Sequence, residues 1–253
     1  MIVRTEAIAL RSIDYGETSQ IVTLFTRSHG RVTVIAKGSR GTRARFGSTM
    51  QPMSHIQVVF YYKPGRDVHS LSEASHVSMW RNMTRDLAKL GAGLRIVELV
   101  NALFLADDPH ERMFDTVVRV LGRIDEEHDR PGNLWLFLQL QLATELGFEP
   151  AFEKTDVEAV RSTCYFSLAE GRIVDGPGSD CVRIDRSTMR AFAVLARGDE
   201  STAVRMRLAR PVAGAVGRLV ESYLRYHVER AYPTRASRVI AQLEGADLHP
   251  TAD

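Results

Sequence analysis

The segment Ala36–Gly47, AKGSRGTRARFG, sets Lys37, Arg40, Arg43 and Arg45 among glycines and other small residues. Guanidinium and ammonium groups bind phosphate oxygens, and a flexible loop carrying four of them can follow a polyanion backbone without reading bases. The surrounding chain strengthens the pattern. From Arg27 to Arg66 there are eight basic residues, Arg27, Arg31, Lys37, Arg40, Arg43, Arg45, Lys63 and Arg66, and no Asp or Glu. A one-signed field of that length attracts polyanions, although a solvated face of a neutral protein carries the same charges. Tyr15, Phe25, Phe46, Tyr61 and Tyr62 lie in or beside this stretch. A ring that reaches the surface can stack a base for roughly 1–3 kcal/mol. Rings on strands more often fill a core, so Phe25 and at least one of the adjacent Tyr61 and Tyr62 are expected inside, because neighbours on a strand point to opposite faces.

Signals for bond chemistry are weak. The chain has no GxxxxGK[ST] phosphate loop, no GxGxxG and no GxSxG elbow. Its eight histidines are scattered without metal-ligand spacing, and they read as surface or packing residues. The two cysteines, Cys164 and Cys181, have no second cysteine nearby to make the close pairs of a structural zinc site. They read as core fillers, and their scarcity fits a reducing compartment, the cytoplasm. Asp125, Glu126, Glu127 and Asp129 read as a solvated acidic turn. No carboxylate pair stands out for acid–base work, so the sequence disfavours an enzyme and implies no cofactor.

The elements that hold these residues change character along the chain. Ile2–Leu10, Ile21–Thr26, Arg31–Lys37, Ile56–Tyr62 and Val68–Leu71 are short runs rich in β-branched and aromatic residues, punctuated by glycines. Five strands in so short a span predict a small barrel, of which the oligonucleotide-binding OB-fold is the commonest type; an SH3-like barrel is the other candidate. After Ser78 the spacing becomes helical. Met79, Met83, Leu87, Leu90, Leu94, Val97 and Leu103 make one face, Met113 to Ile124 a second, and Leu134 to Leu146 a third after a break at Pro131-Gly132. Residues 151–186 look irregular apart from a hairpin pairing Tyr165–Leu168 with Arg172–Val174. Ser187 fits the N-cap of the next helix, Pro211 the first turn of a last long one, and Gly245–Asp253 a frayed tail. The reading is an α+β chain: a five-stranded OB-fold barrel in 1–80, then a mainly helical domain in 81–253 with a small irregular hairpin insert at 151–186. No apolar run approaches the roughly 18 residues of a membrane helix.

The formal net charge of +2 over 253 residues hides a division. Residues 1–80 carry +5, 81–160 carry −6 and 161–253 carry +3. DNA contact is therefore expected on the first segment and not on the second, where like charges repel phosphates.

Tyr15–Gly41, YGETSQIVTLFTRSHGRVTVIAKGSRG, and Arg45–Ala74, RFGSTMQPMSHIQVVFYYKPGRDVHSLSEA, together resemble the RecO family of bacterial DNA repair. The likeness continues more weakly through Ile96–Phe104, Ala143–Pro150 and Tyr223–Arg230, and the AKGxR element is its most specific part. The resemblance implies an OB-fold followed by a helical domain, in a non-enzymatic DNA-binding protein of recombinational repair. It implies binding of single- and double-stranded DNA and annealing of complementary strands. The implied partners are the single-stranded-DNA-binding protein, RecR and, indirectly, the RecA recombinase, with no membrane. It places DNA contacts first on Lys37, Arg40, Arg43 and Arg45, and second on Arg31, Arg27 and Arg66. Many members carry a four-cysteine zinc module; its positions align with Thr155 and Glu158 and, near the loop, Val174 and Pro177, none of them cysteine. No zinc is expected. The alternative from another class is a protein-interaction adaptor whose DNA binding is incidental.

Overall fold

Alternating apolar and polar residues make five strands at the N-terminus: β1 (Ile2–Tyr15), β2 (Ser19–Thr26), β3 (Gly30–Ala36), β4 (His55–Tyr61) and β5 (His69–Ser78). The computed structural model describes residues 1–40, 45–126, 131–228 and 232. The strands close into a barrel in the order β1-β2-β3-β5-β4. Only β3 and β5 run parallel, through Val34↔His69 and Ile35↔Ser70. This is the OB-fold expected from the sequence. β1 extends past Leu10 because a bulge between Ala9 and Arg11 bends it. Its first half can then pair with β4 and its second with β2. β5 also runs on beyond Leu71, interrupted by two irregularities against β4. Val3, Val22, Leu24, Val34, Ile56, Val58 and Phe60 fill the barrel interior. Each large side chain so buried contributes roughly 1.5–3 kcal/mol relative to exposure.

Two helices pack on this barrel, α1 (Leu87–Leu103) and α2 (Glu111–Glu126). Asp86 starts α1 by accepting hydrogen bonds from Ala88 N and Lys89 N at 2.8 and 3.0 Å. The face expected from Met79 to Leu103 is buried only at Met83 and Val97. Met79 and Leu87 are exposed, and the chain bends through a 3-10 turn at Met83–Arg85. Besides Val97, α1 buries Gly91, Ala92, Gly93, Ile96 and Val100. A Cβ at Gly93 would lie 2.4 Å from the Met53 sulfur and 2.8 Å from that of Met83, so glycine there sets the closeness of the helix. α2 buries Met113, Phe114, Val117, Leu121 and Ile124, as read from the sequence. Phe25 of β2 stacks on Phe104 at 5.0 Å between centroids and lies 5.9 Å from Phe114.

The sequence sets the domain boundary near residue 80. By compactness the described residues divide into one unit up to Glu126 and a second from Pro131, so α1 and α2 belong with the barrel.

In the second unit α3 (Pro131–Glu145) is buried on nearly every side, including Leu134, Leu138, Leu140 and Leu142. Pro131 opens this helix, where a missing N–H costs nothing. Gly147 ends it at φ +86, with Gly147 N bonding Thr144 O and Phe148 N bonding Ala143 O, the paired bonds of a Schellman turn. After α4 (Lys154–Ala159) come β6 (Thr163–Ser167), β7 (Arg172–Val174) and β8 (Cys181–Asp185). Residues 151–186 are thus more regular than expected. The hairpin forms, with Phe166 opposite Ile173, and β8 adds a third strand with Val182 opposite Phe166. Phe166 packs on Phe192 and Tyr223 at 5.2 and 5.8 Å. The remaining helices are α5 (Arg186–Arg197), α6 (Glu200–Arg205) and α7 (Arg210–Val228). Asp185, not Ser187, caps α5: its carboxylate takes bonds from the Ser187 hydroxyl and from Thr188 N, which hold its pKa at about 2. The tail Gly245–Asp253 lies outside the described residues. Among the described residues no helix is long and apolar enough to cross a membrane.

Candidate nucleic-acid interface

β3 alternates strictly. Val32, Val34 and Ala36 point into the barrel, while Arg31, Thr33 and Ile35 point out, and the exposed Lys37 follows at the strand end. Across to β2 the outward residues pair as Ile21↔Ile35 and Thr23↔Thr33. On to β1 they pair as Ile13↔Ile21 and Arg11↔Thr23. Directly opposed residues share a face. The outer surface of three strands thus carries an apolar centre, Ile13, Ile21 and Ile35, between Arg11 and Lys37. Tyr15, 56% exposed, stands at its edge beside the β1–β2 turn.

Arg40 joins this surface through the same turn. Its backbone N bonds Thr18 O at 3.0 Å. Its guanidinium donates to Gly16 O at 3.2 Å and pairs with Asp14 at 3.3 Å. Arg45 is held by its N bonding Gly38 O at 2.9 Å and its guanidinium donating to Ser72 O at 2.7 Å. That guanidinium also lies 5.2 Å from the centre of the buried Phe46 ring. Lys37 makes no ion pair or side-chain hydrogen bond among the described residues. Arg43 lies outside them.

Arg27 and Arg31 sit elsewhere. Six residues of strand separate Arg31 from Lys37, about 20 Å. Arg27 pairs with Asp115 of α2 at 3.0 Å, a hydrogen bond that raises its pKa further. Arg31 donates to Asn101 O at 2.7 Å at the end of α1, and its backbone N bonds Leu105 O at 3.2 Å. Both fasten the barrel to its helices. Arg66 is exposed in the β4–β5 loop, whose base is tied by Lys63 N to His69 Nδ1 and by the Tyr62 hydroxyl to Asp107. The loop's tyrosines divide as expected, with Tyr62 packed on the core and Tyr61 outward.

The structure therefore brings Lys37, Arg40 and Arg45 together at one end of β3 and sends Arg27 and Arg31 to the other. Sequence reasoning missed Arg11, Ile13, Ile21 and Ile35. For Ile21 and Ile35 the signal was present as apolar residues on both faces of short strands, where a half-solvated sheet needs only one, while Arg11 and Ile13 lie on the part of β1 beyond Leu10.

The zinc-module positions offer no donor set for a metal. Thr155 donates to Glu153 and Glu158 pairs with Lys154 at 3.5 Å. Cys164 and Cys181 are half-buried rather than core residues, and they stand opposite Ile184 and Ser167, three positions apart along β6. The three-stranded sheet is held instead by Asp180, whose carboxylate accepts from Ser167 Oγ and from Ala169 N at 3.2 Å. Among the described residues no three His, Cys, Asp or Glu side chains gather to hold a metal ion.

A closed β1-β2-β3-β5-β4 barrel braced by two helices, with a mixed α/β unit behind it in sequence, defines an OB-fold protein with a helical C-terminal region. The chain belongs to the recombination protein O (RecO) family of DNA repair and recombination. Residues 1–80 match the model of the recombination protein O N terminal region, and residues 84–236 that of its C terminal region. The chain is 48% identical to the DNA repair protein RecO of Salinibacter ruber, over 97% of this chain and 95% of that protein. It is 35% identical to the protein of the same name from Rhodopirellula baltica, over 66% of this chain and 64% of that one. With that of Anaeromyxobacter dehalogenans it shares 27% identity over 92% and 94%.

Proposed function

We propose that this chain is a non-enzymatic DNA-binding recombination mediator. It binds single- and double-stranded DNA, anneals complementary strands and, with RecR, helps load RecA on strands coated by the single-stranded-DNA-binding protein. Residues 1–80 form the nucleic-acid-binding barrel, which α1 and α2 brace, and the mainly helical region follows. Lys37, Arg40, Arg43 and Arg45 neutralise phosphates, with Arg66 further out. Arg27 and Arg31, although basic, serve the fold. The observation that carries the reading is the outward face of β1, β2 and β3, where isoleucines and Tyr15 lie between Arg11, Lys37 and Arg40. Cations grip the backbone there and unpaired bases meet an apolar surface, the combination used for single strands.

The test is the double variant Lys37→Ala/Arg40→Ala. If about six phosphates are neutralised on a single strand, log affinity falls with log salt at a slope near −4, and loss of two cations flattens it by about 1.4. Affinity drops alike for every sequence, because phosphate contacts carry no base information. Annealing slows on naked strands and on coated ones. An adaptor alone would not anneal naked complementary strands, so failure of the parent chain to do so would favour that reading.

Asp14→Asn tests the same surface in the opposite direction. Asp14 occupies Arg40 in an exposed ion pair, a contact that DNA must displace. Exposed pairs of this kind couple by about 0.2–1 kcal/mol, so affinity is expected to rise up to about five-fold with stability little changed. Fluorescence anisotropy at fixed salt measures it, and weaker binding by Asp14→Asn would count against the face.

A further inference from the structure

Within Glu127–Tyr232 the longest run without a carboxylate is Ser201–Val220, and it contains Arg205, Arg207, Arg210 and Arg218. All four side chains are exposed. Arg172 pairs with Glu170, Arg225 with Glu221 at 2.7 Å, and Lys154 with Glu158. Arg205 feels the charge of Asp199. Arg207, Arg210 and Arg218 make no ion pair or side-chain hydrogen bond among the described residues.

These arginines are presented on fixed backbone. The buried Asn133 of α3 donates from Nδ2 to Ala203 O at 3.1 Å and to Met206 O at 2.9 Å, which anchors the link between α6 and α7. Arg210 and Arg218 are eight residues apart on α7, so they lie on one side about 12 Å apart along the axis. Between them Gly214 is exposed, and a Cβ there would meet the Arg218 guanidinium at 3.5 Å. No large apolar side chain is exposed anywhere in Ser201–Val220.

We infer that Arg207, Arg210 and Arg218 form a second phosphate-binding surface, outside the barrel, that takes the backbone of duplex DNA. This rests on the reading of the chain as a DNA-binding protein. The chemistry favours DNA over an acidic protein segment. Protein interfaces carry an apolar centre, which this surface lacks, whereas protein–DNA interfaces are polar and strongly positive. Arginine forks also match phosphate oxygens in pairs. Such a surface grips the backbone without base contacts, and it lets one chain hold nucleic acid at two places, as strand pairing requires.

The experiment compares the full chain, Arg207→Gln/Arg210→Gln/Arg218→Gln, the corresponding triple lysine variant and Lys37→Ala/Arg40→Ala. A short fluorescein-labelled duplex and a single strand are titrated at several salt concentrations. The glutamine variant is expected to flatten the duplex salt dependence by about 2–3 and to weaken duplex binding about ten-fold or more near 0.1 M salt. The lysine variant, which keeps the charge, retains most of the slope. Matching circular dichroism shows that the variants remain folded. If the glutamine variant binds both DNAs as the parent does, the inference is overturned, whatever the barrel variant shows. The same holds if it loses only a glutamate-rich peptide, in which case the surface serves a protein. If the glutamine variant weakens duplex binding while Lys37→Ala/Arg40→Ala does not, this surface stands and the barrel site falls.

Discussion

Asp125→Ala is expected to remove about 2–4 kcal/mol of stability from the barrel unit, a large share of what a domain of this size possesses. Asp125 is buried near the end of α2. One carboxylate oxygen accepts from Asn82 N at 2.8 Å and Met83 N at 2.6 Å, which fixes the 3-10 turn leading into α1. Its carbonyl accepts the Lys89 ammonium at 2.7 Å and the Asn82 side-chain amide at 3.2 Å. Lys89 is itself only 4% exposed. Alanine leaves two main-chain donors without a partner, and unmade buried bonds cost more than made ones gain, while the carbonyl of residue 125 keeps its bonds from Lys89 and Asn82. Urea unfolding reads the loss as a lower midpoint with little change in slope. A cost under about 1 kcal/mol would mean that water reaches this site freely.

The same residue shows what the sequence could and could not disclose. In sequence Asp125 stands in a run of four carboxylates within five residues and reads as a solvated turn. Only the packing of the Met83 turn and α1 against α2 separates it from Glu126, which is exposed. The barrel was legible because its strands alternate and its turns carry glycine. The α2 face was legible because large apolar residues recur at helical spacing. The α1 face was not, because Gly91, Ala92 and Gly93 mark a close approach through absent side chains, and hydropathy weighs them little. At α5, Ser187 and Asp185 are both good caps, and pairing of β8 against β6 decides between them. For the candidate site, charge located the right segment but could not assign each cation. Asp115, Asn101 and Leu105, all distant in sequence, take Arg27 and Arg31 for the fold. The apolar strip of Ile13, Ile21 and Ile35 needed the strand register to become visible.

Gly30→Ala is expected to cost about 2–4 kcal/mol, and the reason lies in that division of the basic residues. Gly30 opens β3 at φ +61, where an L side chain carries roughly 1–2 kcal/mol of strain. The collision is the larger part. A Cβ at Gly30 would stand 2.3 Å from Asp108 O and 2.6 Å from Asp108 N, all main chain that cannot rotate away. Gly30 also bridges Ala106, and its carbonyl accepts the Thr26 hydroxyl at 2.8 Å. Relief of the collision must push the segment after α1 off the β2–β3 turn, and the bond from Arg31 N to Leu105 O goes with it. Gly65→Ala is the matched control: its φ is +75, yet a Cβ there meets nothing within 4 Å, so strain acts alone. The two variants should differ by at least about 1 kcal/mol in urea, and equal losses would show that Gly30 matters only for its backbone angle. The Lys37 end of β3 lies about 20 Å away along the strand. At a temperature where Gly30→Ala remains folded, its single-strand salt slope should match that of the parent. Stability would fall at one end of β3 while binding holds at the other, as expected if the arginines at the first end brace the barrel and Lys37 and Arg40 at the second end meet DNA.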